Sequence, residues 1–450
     1  MRPRLTSQLV LAALAVVWVA GVIRSLHHHA LPWFPLLFVD VAWLQALLVA
    51  LGAFGTVLVL VGVFVPALTP PPLTARRPFV TILVSAKNEE TVIARTVRNL
   101  AALEYSEDGG RQFELIVIDD QSTDRTPQIL AKLAREEPIS VVHTPAGSIG
   151  KAAALNLGMA HARGELVAVL DADARVRADF LTRMTAHISR PSVGGVQCQR
   201  RLYNGGQNVW TRLQDDEYRL VHHPMQRARQ ALGGMVSFSG NGLLLRRDAL
   251  DDVGGWNEEA LTEDIDLTVR FHLAGWDIQY CEDVVVWEEA VPTLTDLIRQ
   301  RARWFEGALR CLGDHLPAMV FSPMRLFVRI DMVVFLSGGL LFTLGLLTSY
   351  FYAVVHVAGA DLLVVQLPRS LAVWSSGFLT AGLLAAVLTQ TRGRVADAGA
   401  IVVRSVIFSL HRLIVVPLAI FHYLRSAVTG RTTWEKTAHG AAIPPGDGDL

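Results

Sequence analysis

Four aspartates in two short stretches carry the clearest chemical signal in this 450-residue chain. The stretch VIDDQSTD places Asp119 and Asp120 directly after the apolar run 115–118, and VLDADARV places Asp171 and Asp173 after another apolar run. Carboxylates are seldom buried without a partner, and their hard oxygens suit Mg²⁺ or Mn²⁺. The four side chains therefore predict a site where a divalent cation carries a phosphorylated ligand.

Turn formation and helix capping are the alternative role for acidic residues at strand ends. This role is sufficient for Asp124, because Thr126 and Pro127 have the residue types of an N-cap and a first helical position. Other nucleotide motifs do not match. No GxGxxG follows a strand, and GSIGKAA at 147–153 lacks both the spacing and the Ser or Thr of a Walker loop. ATP hydrolysis and dinucleotide redox chemistry are therefore disfavoured.

The elements that must position these aspartates alternate between strands and helices. Predicted strands cover 79–85, 114–118, 140–143 and 166–170, and predicted helices cover 89–103, 127–136 and 151–162. Apolar strands in this order predict an α/β fold with a parallel sheet that is covered on both faces. Ligands of such sheets bind beyond the carboxyl ends of the strands, so we expect all four carboxylates at one rim.

Long apolar runs flank this α/β region and predict membrane-spanning helices. The chain is 51% hydrophobic, and the runs cover 8–23, 44–66, 332–355, 371–389 and roughly 400–424. A secretory signal is the alternative for the first run, but no small-x-small cleavage site is convincing. By the positive-inside rule, the N-terminus and the α/β region lie in the cytosol, because the flanking basic residues are Arg2, Arg4, Arg76, Arg77 and Lys87.

Charge and cysteine content exclude further kinds of partner and site. Basic and acidic residues number 41 each and no dense basic run occurs, so nucleic acid is not an expected partner. Cys198, Cys281 and Cys311 are widely spaced, which is typical of reduced thiols and neither of disulfides nor of a zinc site. The cluster His27–His29 is more typical of a polar loop than of a metal site.

Two further motifs complete a set. They are LTEDIDLTVRFHLAGW at 261–276 and RQRARW at 299–304. In this order after AKNEE, IDDQSTD and LDAD, they resemble the membrane-embedded family 2 glycosyltransferases, the group that contains cellulose, hyaluronan and poly-N-acetylglucosamine synthases. The resemblance covers about residues 75–315 plus the flanking apolar runs. It implies an α/β fold of the GT-A type, with a mostly parallel sheet flanked by transmembrane α-helices.

The resemblance also implies a role for each matched residue. Asp264, which follows Glu263 in the TED motif, would be the catalytic base. Asp171 and Asp173 would hold the nucleotide diphosphate and its Mg²⁺ or Mn²⁺, with Asp173 as the direct metal ligand. The nucleotide-sugar site would also contain Asn88, Glu89, Asp119 or Asp120, and Lys151.

The QxxRW motif and the segment FSGNG would contact the sugars. The resemblance implies that Gln300, Arg303 and Trp304 close over donor and acceptor. Helical spacing independently puts these three side chains together, beside an apolar face formed by Leu294, Leu297, Ile298, Phe305, Leu309 and Leu312. Ser239 and Asn241 are candidate sugar contacts, although FSGNG departs from the cysteine-containing form of cellulose synthases. For Glu288 and Glu289, a first-turn charge preference is a sufficient explanation.

The resemblance, with which these residue types are consistent, implies a membrane-embedded inverting glycosyltransferase that uses a nucleotide sugar, most simply UDP-linked, and extends a polysaccharide. Two alternatives stay open, namely a synthase that adds one sugar to a lipid acceptor and a catalytically silent binding or regulatory subunit. A polymer is favoured because the flanking spans could enclose a path for an extending chain. The expected location is the plasma or inner membrane, with the bilayer as a partner and a cytosolic catalytic domain.

The predicted domain order follows from the same features. Two N-terminal spans (1–70) precede the catalytic domain (71–291), the amphipathic interfacial helices with QxxRW (292–330), two further spans (331–390) and a final segment with the tail (391–450). In the run 400–424, Arg404, His411, His422 and Arg425 share one helical face. This run is therefore either an interfacial helix, which is favoured, or a span with a polar stripe. An interfacial helix predicts that a cysteine at Thr437, near Trp434, is labelled only after permeabilisation.

Overall fold

The computed structural model describes residues 41–67, 72, 77–147, 150–357, 387 and 395–429. Several predictions concern residues outside these ranges. They are the first apolar run 8–23, the cluster His27–His29, most of the run 371–389, and the tail with Trp434 and Thr437.

A large sheet forms the centre of the described chain. The strands are β1 Val80–Ala86, β2 Ser106–Glu107, β3 Gly110–Arg111, β4 Phe113–Asp119, β5 Ile139–His143, β6 Leu166–Asp171, β7 Arg175–Val176, β8 Val193–Leu202, β9 Leu243–Arg246 and β10 Asp277–Glu288. Eight of them form one sheet in the order β5-β4-β1-β6-β9-β8-β10-β7, while β2 and β3 pair separately.

The first half of the sheet is parallel, as the sequence predicts. Strands β5, β4, β1 and β6 are neighbours with parallel pairing throughout. In this register Ser85 pairs with Asp171 and Ala86 pairs with Asp119, so the acidic strand ends lie level with each other. The predicted common rim of carboxylates is therefore confirmed for the strand ends of β4 and β6.

The second half of the sheet was not predicted from the sequence. Strand β9 runs antiparallel between β6 and β8, β10 is parallel to β8, and β7 pairs antiparallel with β10 at the edge. The sheet is thus mostly parallel with an antiparallel insertion, which is a GT-A-like α/β arrangement. Apolar side chains of the strands alternate between two buried clusters on its two faces, as Leu244 on one face and Leu243 on the other illustrate.

Helices cover both faces of this sheet and continue beyond it. They are α1 Val41–Phe64, α2 Ile93–Ala101, α3 Thr126–Glu136, α4 Gly150–His161, α5 Phe180–His187, α6 Val209–Glu217, α7 His223–Leu232, α8 Arg247–Asp252, α9 Glu263–Leu273, α10 Leu294–Phe321, α11 Leu326–Val357, α12 Val395–Ser409 and α13 Arg412–Thr429. A π-helix, Tyr218–His222, joins α6 to α7.

Helix α10 carries the QxxRW motif and extends beyond Leu312, the last residue of the predicted apolar face. It begins after Thr293, whose Oγ1 accepts a hydrogen bond from the Asp296 amide at 3.2 Å. The predicted apolar face is buried at Leu297, Leu309 and Leu312. The helix extends unbroken to Phe321, so this face packs against protein over several turns.

Helix α7 connects α1 and α11 to the catalytic domain. The guanidinium of Arg227 donates to the Val65 carbonyl at 2.7 Å, just beyond the end of α1. Helix α1 passes so close to α7 that a Cβ at Gly62 would overlap the backbone of Pro224, so only glycine fits there. On the other side, Arg229 forms a buried bidentate ion pair with Asp331 of α11. The three helices therefore form one packed unit.

Helices α12 and α13 turn their polar side chains toward the protein. Arg404 donates to Asp216 at 2.7 Å, and His422 lies 3.9 Å from Glu306. Large apolar side chains on the same helices are exposed, including Ile407, Ile414 and Phe421. Part of the polar stripe predicted for residues 400–424 therefore contacts the rest of the protein. The exposed side of these two helices carries apolar side chains.

The apolar runs 44–66, 332–355 and 400–424 fall on α1, on α11 and on the pair α12–α13. Within the described ranges, no helix combines the length and the apolar character that crossing a membrane requires. The predicted transmembrane helices are thus not confirmed.

Candidate active site

A cleft of about 360 Å³ opens beyond the carboxyl ends of β1, β4 and β6. Helices α9 and α10 and the π-helix bound its other sides. Its acidic lining residues are Glu89, Asp120, Asp171, Asp173, Glu263, Asp264, Glu288 and Glu289. The same cleft is also lined by Lys151, Arg200, Gln300, Arg303 and Trp304. The cleft therefore brings together most of the residues that the sequence motifs predict.

Of the two adjacent aspartates after β4, only Asp120 lines the cleft. Its Oδ2 lies 3.2 Å from Lys87 Nζ, and its Oδ1 accepts from the Thr144 hydroxyl at 3.1 Å. Asp119 is also buried, but its carboxylate accepts from the Ser122 amide at 3.3 Å and lies 3.1 Å from His143 Nδ1. Asp120 is therefore the candidate for ligand binding, and Asp119 stabilises the loop.

Of the two neighbouring residues Asn88 and Glu89, likewise only Glu89 lines the cleft. Glu89 is buried and lines the cleft, while its amide donates to the Thr126 hydroxyl at 2.8 Å. Asn88 is exposed, has a φ of 53° and accepts from the Thr123 amide at 2.7 Å. Asn88 thus joins the loop after β1 to the loop after β4, rather than lining the cleft.

The DxD motif follows β6 and faces Lys151 of α4. Lys151 Nζ lies 2.5 Å from Asp171 Oδ1 and 3.2 Å from Glu263 Oε1, and it donates to the Gly240 carbonyl at 2.8 Å. Burial alone would lower the pKa of Lys151, but the carboxylates of Asp171 and Glu263 hold it above its usual range. Lys151 is therefore a charged link between the DxD and TED motifs.

The donor set at the DxD motif fits a hard divalent cation. Asp173 is buried and accepts from the Glu289 amide at 2.8 Å, so its carboxylate is held in place at the cleft wall. Among the described residues, groups of three or more possible metal ligands lie elsewhere, at His187, Cys281, Asp283 and at Asp266, Cys311, His315. An ion at Asp171 and Asp173 would thus share its ligands with substrate phosphates, as Mg²⁺ commonly does.

The TED motif places two carboxylates in the first turn of α9. This position is electrostatically favourable, because a helix N-terminus stabilises negative charge. Asp264 Oδ1 accepts from the Ile265 amide at 2.9 Å. Burial, followed by the neighbouring charge of Glu263, nevertheless raises the pKa of Asp264 to about 6. Asp264 is therefore ionised near neutral pH and is basic enough to accept a proton.

The segment around Gly240 lies close to Asp264 at the cleft. Gly240 has a φ of 74°, and a Cβ there would lie 3.3 Å from Asp264 Oδ2. Ser239 lines the cleft. Asn241 is fully buried, accepts from the Asp171 amide at 3.1 Å and donates to Glu288 at 2.9 Å. Asn241 thus orients Asp171 and Glu288 from within the protein, and its contact with a sugar stays a prediction.

Helix α10 brings Gln300, Arg303 and Trp304 to the cleft, as its spacing predicts. Burial lowers the pKa of Arg303, against the opposing charges of Glu263 and Asp264. The Arg301 guanidinium lies over the Trp304 ring, 4.4 Å from its centroid, and donates to Glu217 at 2.6 Å. One face of the indole is therefore already covered by the protein.

A buried network that the sequence analysis missed lies beside the DxD motif. Arg200 of β8 donates to both oxygens of Glu288, one of them at 2.9 Å, and to the Tyr218 hydroxyl at 2.7 Å. Burial would lower the pKa of Arg200, but Glu288 raises it above its usual range. Glu288 ends β10, so its interpretation as a first-turn charge of α10 is wrong. The sequence did contain one indication of this network, namely an arginine within a strand that is otherwise largely buried, where a charged side chain requires a partner.

The geometry supports one kind of chemistry. An ionised carboxylate, Asp264, lines the same cleft as the DxD aspartates and the guanidinium of Arg303. A hydroxyl beside Asp264 could lose its proton while a phosphorylated group departs toward the DxD side. This arrangement suits a displacement at carbon with a phosphate leaving group.

The chain is similar to known proteins in sequence. The model of the family described as "Glycosyltransferase like family 2" matches residues 77–307. A beta-monoglucosyldiacylglycerol synthase of Synechocystis sp. is 35% identical over 399 residues, which cover 84% of this chain and 78% of that protein. A protein of the same name from Nostoc sp. is 43% identical over 261 residues, which cover 58% of this chain and only 55% of that protein. The match thus spans about half of the Nostoc protein.

The chain is also similar to a solved structure. A mannosyltransferase from Pyrobaculum calidifontis, in complex with GDP-Man and Mn²⁺, matches with a TM-score of 0.53 at 22% identity. The match covers 78% of this chain and 99% of that chain. At this identity the similarity concerns the fold, and it agrees with the GT-A-like sheet described above.

Proposed function

We propose, because the chain belongs to glycosyltransferase-like family 2, that it transfers one sugar from a nucleotide sugar to a lipid acceptor. Membership of this family makes the chain a glycosyltransferase. The nature of the donor, the acceptor and the mechanism are the proposal. The observation that carries it is the composition of the cleft, whose lining combines the acidic side chains of the strand ends with the apolar side chains of Met225, Ile265 and Phe335.

The acidic side chains that line the cleft are suited to the donor. Asp171 and Asp173 would hold Mg²⁺ or Mn²⁺, and the ion would act as a Lewis acid on the departing diphosphate. Asp120 and Glu89 line the adjoining wall, where the nucleoside of a UDP-sugar would lie. Arg303 supplies a planar cation for the phosphate oxygens, and Lys151 keeps Asp171 in position.

The transfer is a single displacement with inversion at the anomeric carbon. Asp264 takes the proton from the acceptor hydroxyl while its oxygen forms a bond to the anomeric carbon. The bond between that carbon and the diphosphate oxygen breaks on the opposite face, and the electron pair leaves with the nucleoside diphosphate. A general base of this kind contributes about 10²- to 10⁴-fold to the rate. No second carboxylate nucleophile is needed, unlike in retaining glycosidases.

The apolar side chains that line the cleft are suited to a lipid. They come from α7, α9 and α11, namely Met225, Ile265 and Phe335, together with Val221 of the π-helix. The one guanidinium of α7 in this lining, Arg229, is paired with Asp331. Burial lowers the pKa of His222, which lies beside Val221, to about 4, so its side chain is neutral at pH 7. Apolar side chains and a neutral imidazole in the same cleft as the base favour a hydroxyl on a hydrophobic acceptor over a long hydrated glycan.

A position at the bilayer surface is part of this proposal. Around the turn from α10 to α11 the side chains of Val320, Phe321, Leu326 and Ile330 are exposed, and Phe321 is 86% exposed. Exposed apolar clusters of this kind mark interaction surfaces, and a lipid acceptor is itself in the bilayer. The proposed site is the inner face of the cell membrane, with the catalytic cleft in the cytosol.

The relatives' names and the apolar side chains of the cleft both favour a lipid acceptor over the polysaccharide that the sequence favoured. The test is to incubate purified protein, reconstituted in vesicles that contain diacylglycerol, with Mg²⁺ and a panel of labelled nucleotide sugars. Chromatography and mass spectrometry should show a lipid that carries one added sugar. A ladder of lengthening saccharides would overturn the lipid proposal. Donor binding without any product would instead indicate a silent subunit.

A further inference from the structure

Two helices that carry different motifs of the site are joined behind the cleft. His315 Nε2 of α10 lies 2.9 Å from Asp266 Oδ1 of α9. Asp266 is 3% exposed and follows the base Asp264 by two residues. His315 follows Arg303 by about three turns of the same helix. The contact therefore links the helix of the base to the helix of the QxxRW motif.

Asp266 also joins α9 to the loop that precedes it. Its Oδ2 accepts from Arg270 Nε at 2.6 Å, and Arg270 donates to the carbonyls of Val253 and Gly255 at 2.8 Å each. Burial would raise the pKa of Asp266, but the His315 hydrogen bond and the Arg270 charge hold it below its usual range. The buried carboxylate is thus ionised and neutralised by a cation of its own helix.

This charge balance argues against a metal ion at the same place. Asp266, Cys311 and His315 have ligand atoms close enough together to hold one. However, the Arg270 guanidinium already occupies the carboxylate, and a cation added there would face an arginine at hydrogen-bond distance. The arrangement is therefore more consistent with a structural link than with a metal site.

A second contact holds the same two helices closer to the cleft. Gly307 of α10 lies against Thr262, the residue before α9, and a Cβ at Gly307 would lie 2.3 Å from Thr262 Oγ1. The two contacts, at Gly307 and at His315, lie about two turns apart on α10. Two fixed points determine both the distance and the angle between helices, whereas one would leave rotation free.

We propose that Asp266 and His315 are positioning residues that set the separation between Asp264 and the QxxRW side chains. The inference rests on the proposed function, because it assigns Asp264 as the base and Arg303 to the leaving group. Loss of the link would let α10 shift relative to α9, and displacements of about 1 Å at a reacting centre cost up to about 10²-fold in rate. Donor binding, which rests on Glu89, Asp120 and the DxD aspartates as well as on Arg303, would be largely retained.

The first experiment compares His315→Ala with His315→Gln in the reconstituted enzyme. His315→Ala removes the donor to Asp266, and we expect kcat to fall about tenfold or more while KM for the nucleotide sugar changes less than about twofold. Glutamine keeps an N–H group that can reach Asp266, so His315→Gln should recover most of kcat. Equal losses in both variants, or a loss expressed only in KM, would overturn the proposal.

The chain contains a matched control. His187 Nε2 lies 3.0 Å from Asp283 Oδ1, Cys281 Sγ donates to the same carboxylate at 3.1 Å, and Arg183 donates to its other oxygen at 2.8 Å. This quartet has the same chemistry but does not line the cleft. His187→Ala should lower the thermal unfolding midpoint about as much as His315→Ala and leave kcat unchanged. A similar kcat loss in His187→Ala would show that only stability is involved.

A readout without turnover separates this proposal from the proposed function. Hydrogen exchange of the amides at 300–304 should be faster in His315→Ala than in the wild type, and unchanged in His187→Ala. Unchanged exchange in His315→Ala would overturn the positioning role, whatever the product of the enzyme is. The identity of the wild-type product separately decides whether the acceptor is a lipid.

Discussion

The ammonium of Lys151 lies 2.5 Å from the carboxylate of Asp171, where α4 meets the end of β6. The same ammonium lies 3.2 Å from Glu263, so one cation joins the DxD motif to the first turn of α9. Both carboxylates are close enough to repel each other when the cation is removed. The separation between the DxD and TED carboxylates thus depends on this lysine, and with it the separation between the proposed leaving group and the proposed base.

Replacing Lys151 with methionine should therefore weaken both folding and catalysis. A partly buried carboxylate that loses its partner costs about 1–3 kcal/mol, so we expect a decrease of that size in the free energy of unfolding in urea. As a control, Lys132→Met breaks an exposed ion pair with Glu136, whose charged atoms are 3.6 Å apart. This substitution should change the free energy of unfolding by less than about 0.5 kcal/mol. Equal changes in both variants would contradict this role for Lys151.

Asp264→Asn should abolish transfer and leave nucleotide-sugar binding nearly intact. The substitution preserves shape but removes the group that accepts the hydroxyl proton, so we expect kcat to fall by about 10²-fold or more. Calorimetry with the nucleoside diphosphate measures binding, and a transfer assay measures kcat. Asp251→Asn, at an exposed position of α8, is the control and should behave like the wild type. Normal turnover in Asp264→Asn would refute the base assignment.

The pH dependence should show one acidic limb from Asp264. Its pKa of about 6 means that kcat/KM rises with pH through 6 and levels off above it, because the ionised form is the active base. Glu263 raises this pKa by charge repulsion, so Glu263→Gln should move the limb to lower pH. The exposed control Glu136→Gln should leave it in place. A limb that moves upward in Glu263→Gln would be inconsistent with this environment.

Removal of divalent cations should stop transfer reversibly. We expect EDTA to abolish activity and Mg²⁺ or Mn²⁺ to restore it in the wild type. In Asp173→Asn the cation requirement should rise at least about tenfold, since one of the two proposed ligands is lost. Asp248→Asn changes an exposed aspartate and serves as the control. Full activity of the EDTA-treated enzyme would exclude a metal role.

The sequence predicts the first half of the sheet well because its signals are local. The predicted strand 114–118 becomes β4 Phe113–Asp119, and the predicted helix 127–136 becomes α3 Thr126–Glu136. Continuous apolar strands and a Thr-Pro helix start are properties of neighbouring residues. Local patterns are therefore sufficient to place the acidic strand ends at one rim.

Residues whose role depends on distant pairing were harder to assign. Glu288 contacts Arg200 only because β10 pairs with β8, and that register contains an irregularity between Cys281 and Val285 that the sequence does not reveal. The choice between Asp119 and Asp120 depends on the turn that follows, in which Gln121 has a φ of 56°. Such backbone detail is set by tertiary contacts, and residue type alone does not determine it.

The apolar side chains that line the cleft lead to a prediction about binding of the acceptor, separate from binding of the donor. Met225 is one of them, and Met225→Gln would place an amide against the acyl part of a lipid. A poorly paired amide in an apolar site costs about 1–3 kcal/mol, so KM for diacylglycerol in mixed vesicles should rise about tenfold. KM for the nucleotide sugar should change less than about twofold, because the residues proposed to bind the donor are not altered. Met159→Gln is the matched control, since Met159 packs against a buried cluster of the sheet and does not line the cleft. If both Michaelis constants rise together in Met225→Gln, or if neither changes, the lipid does not lie along these apolar side chains.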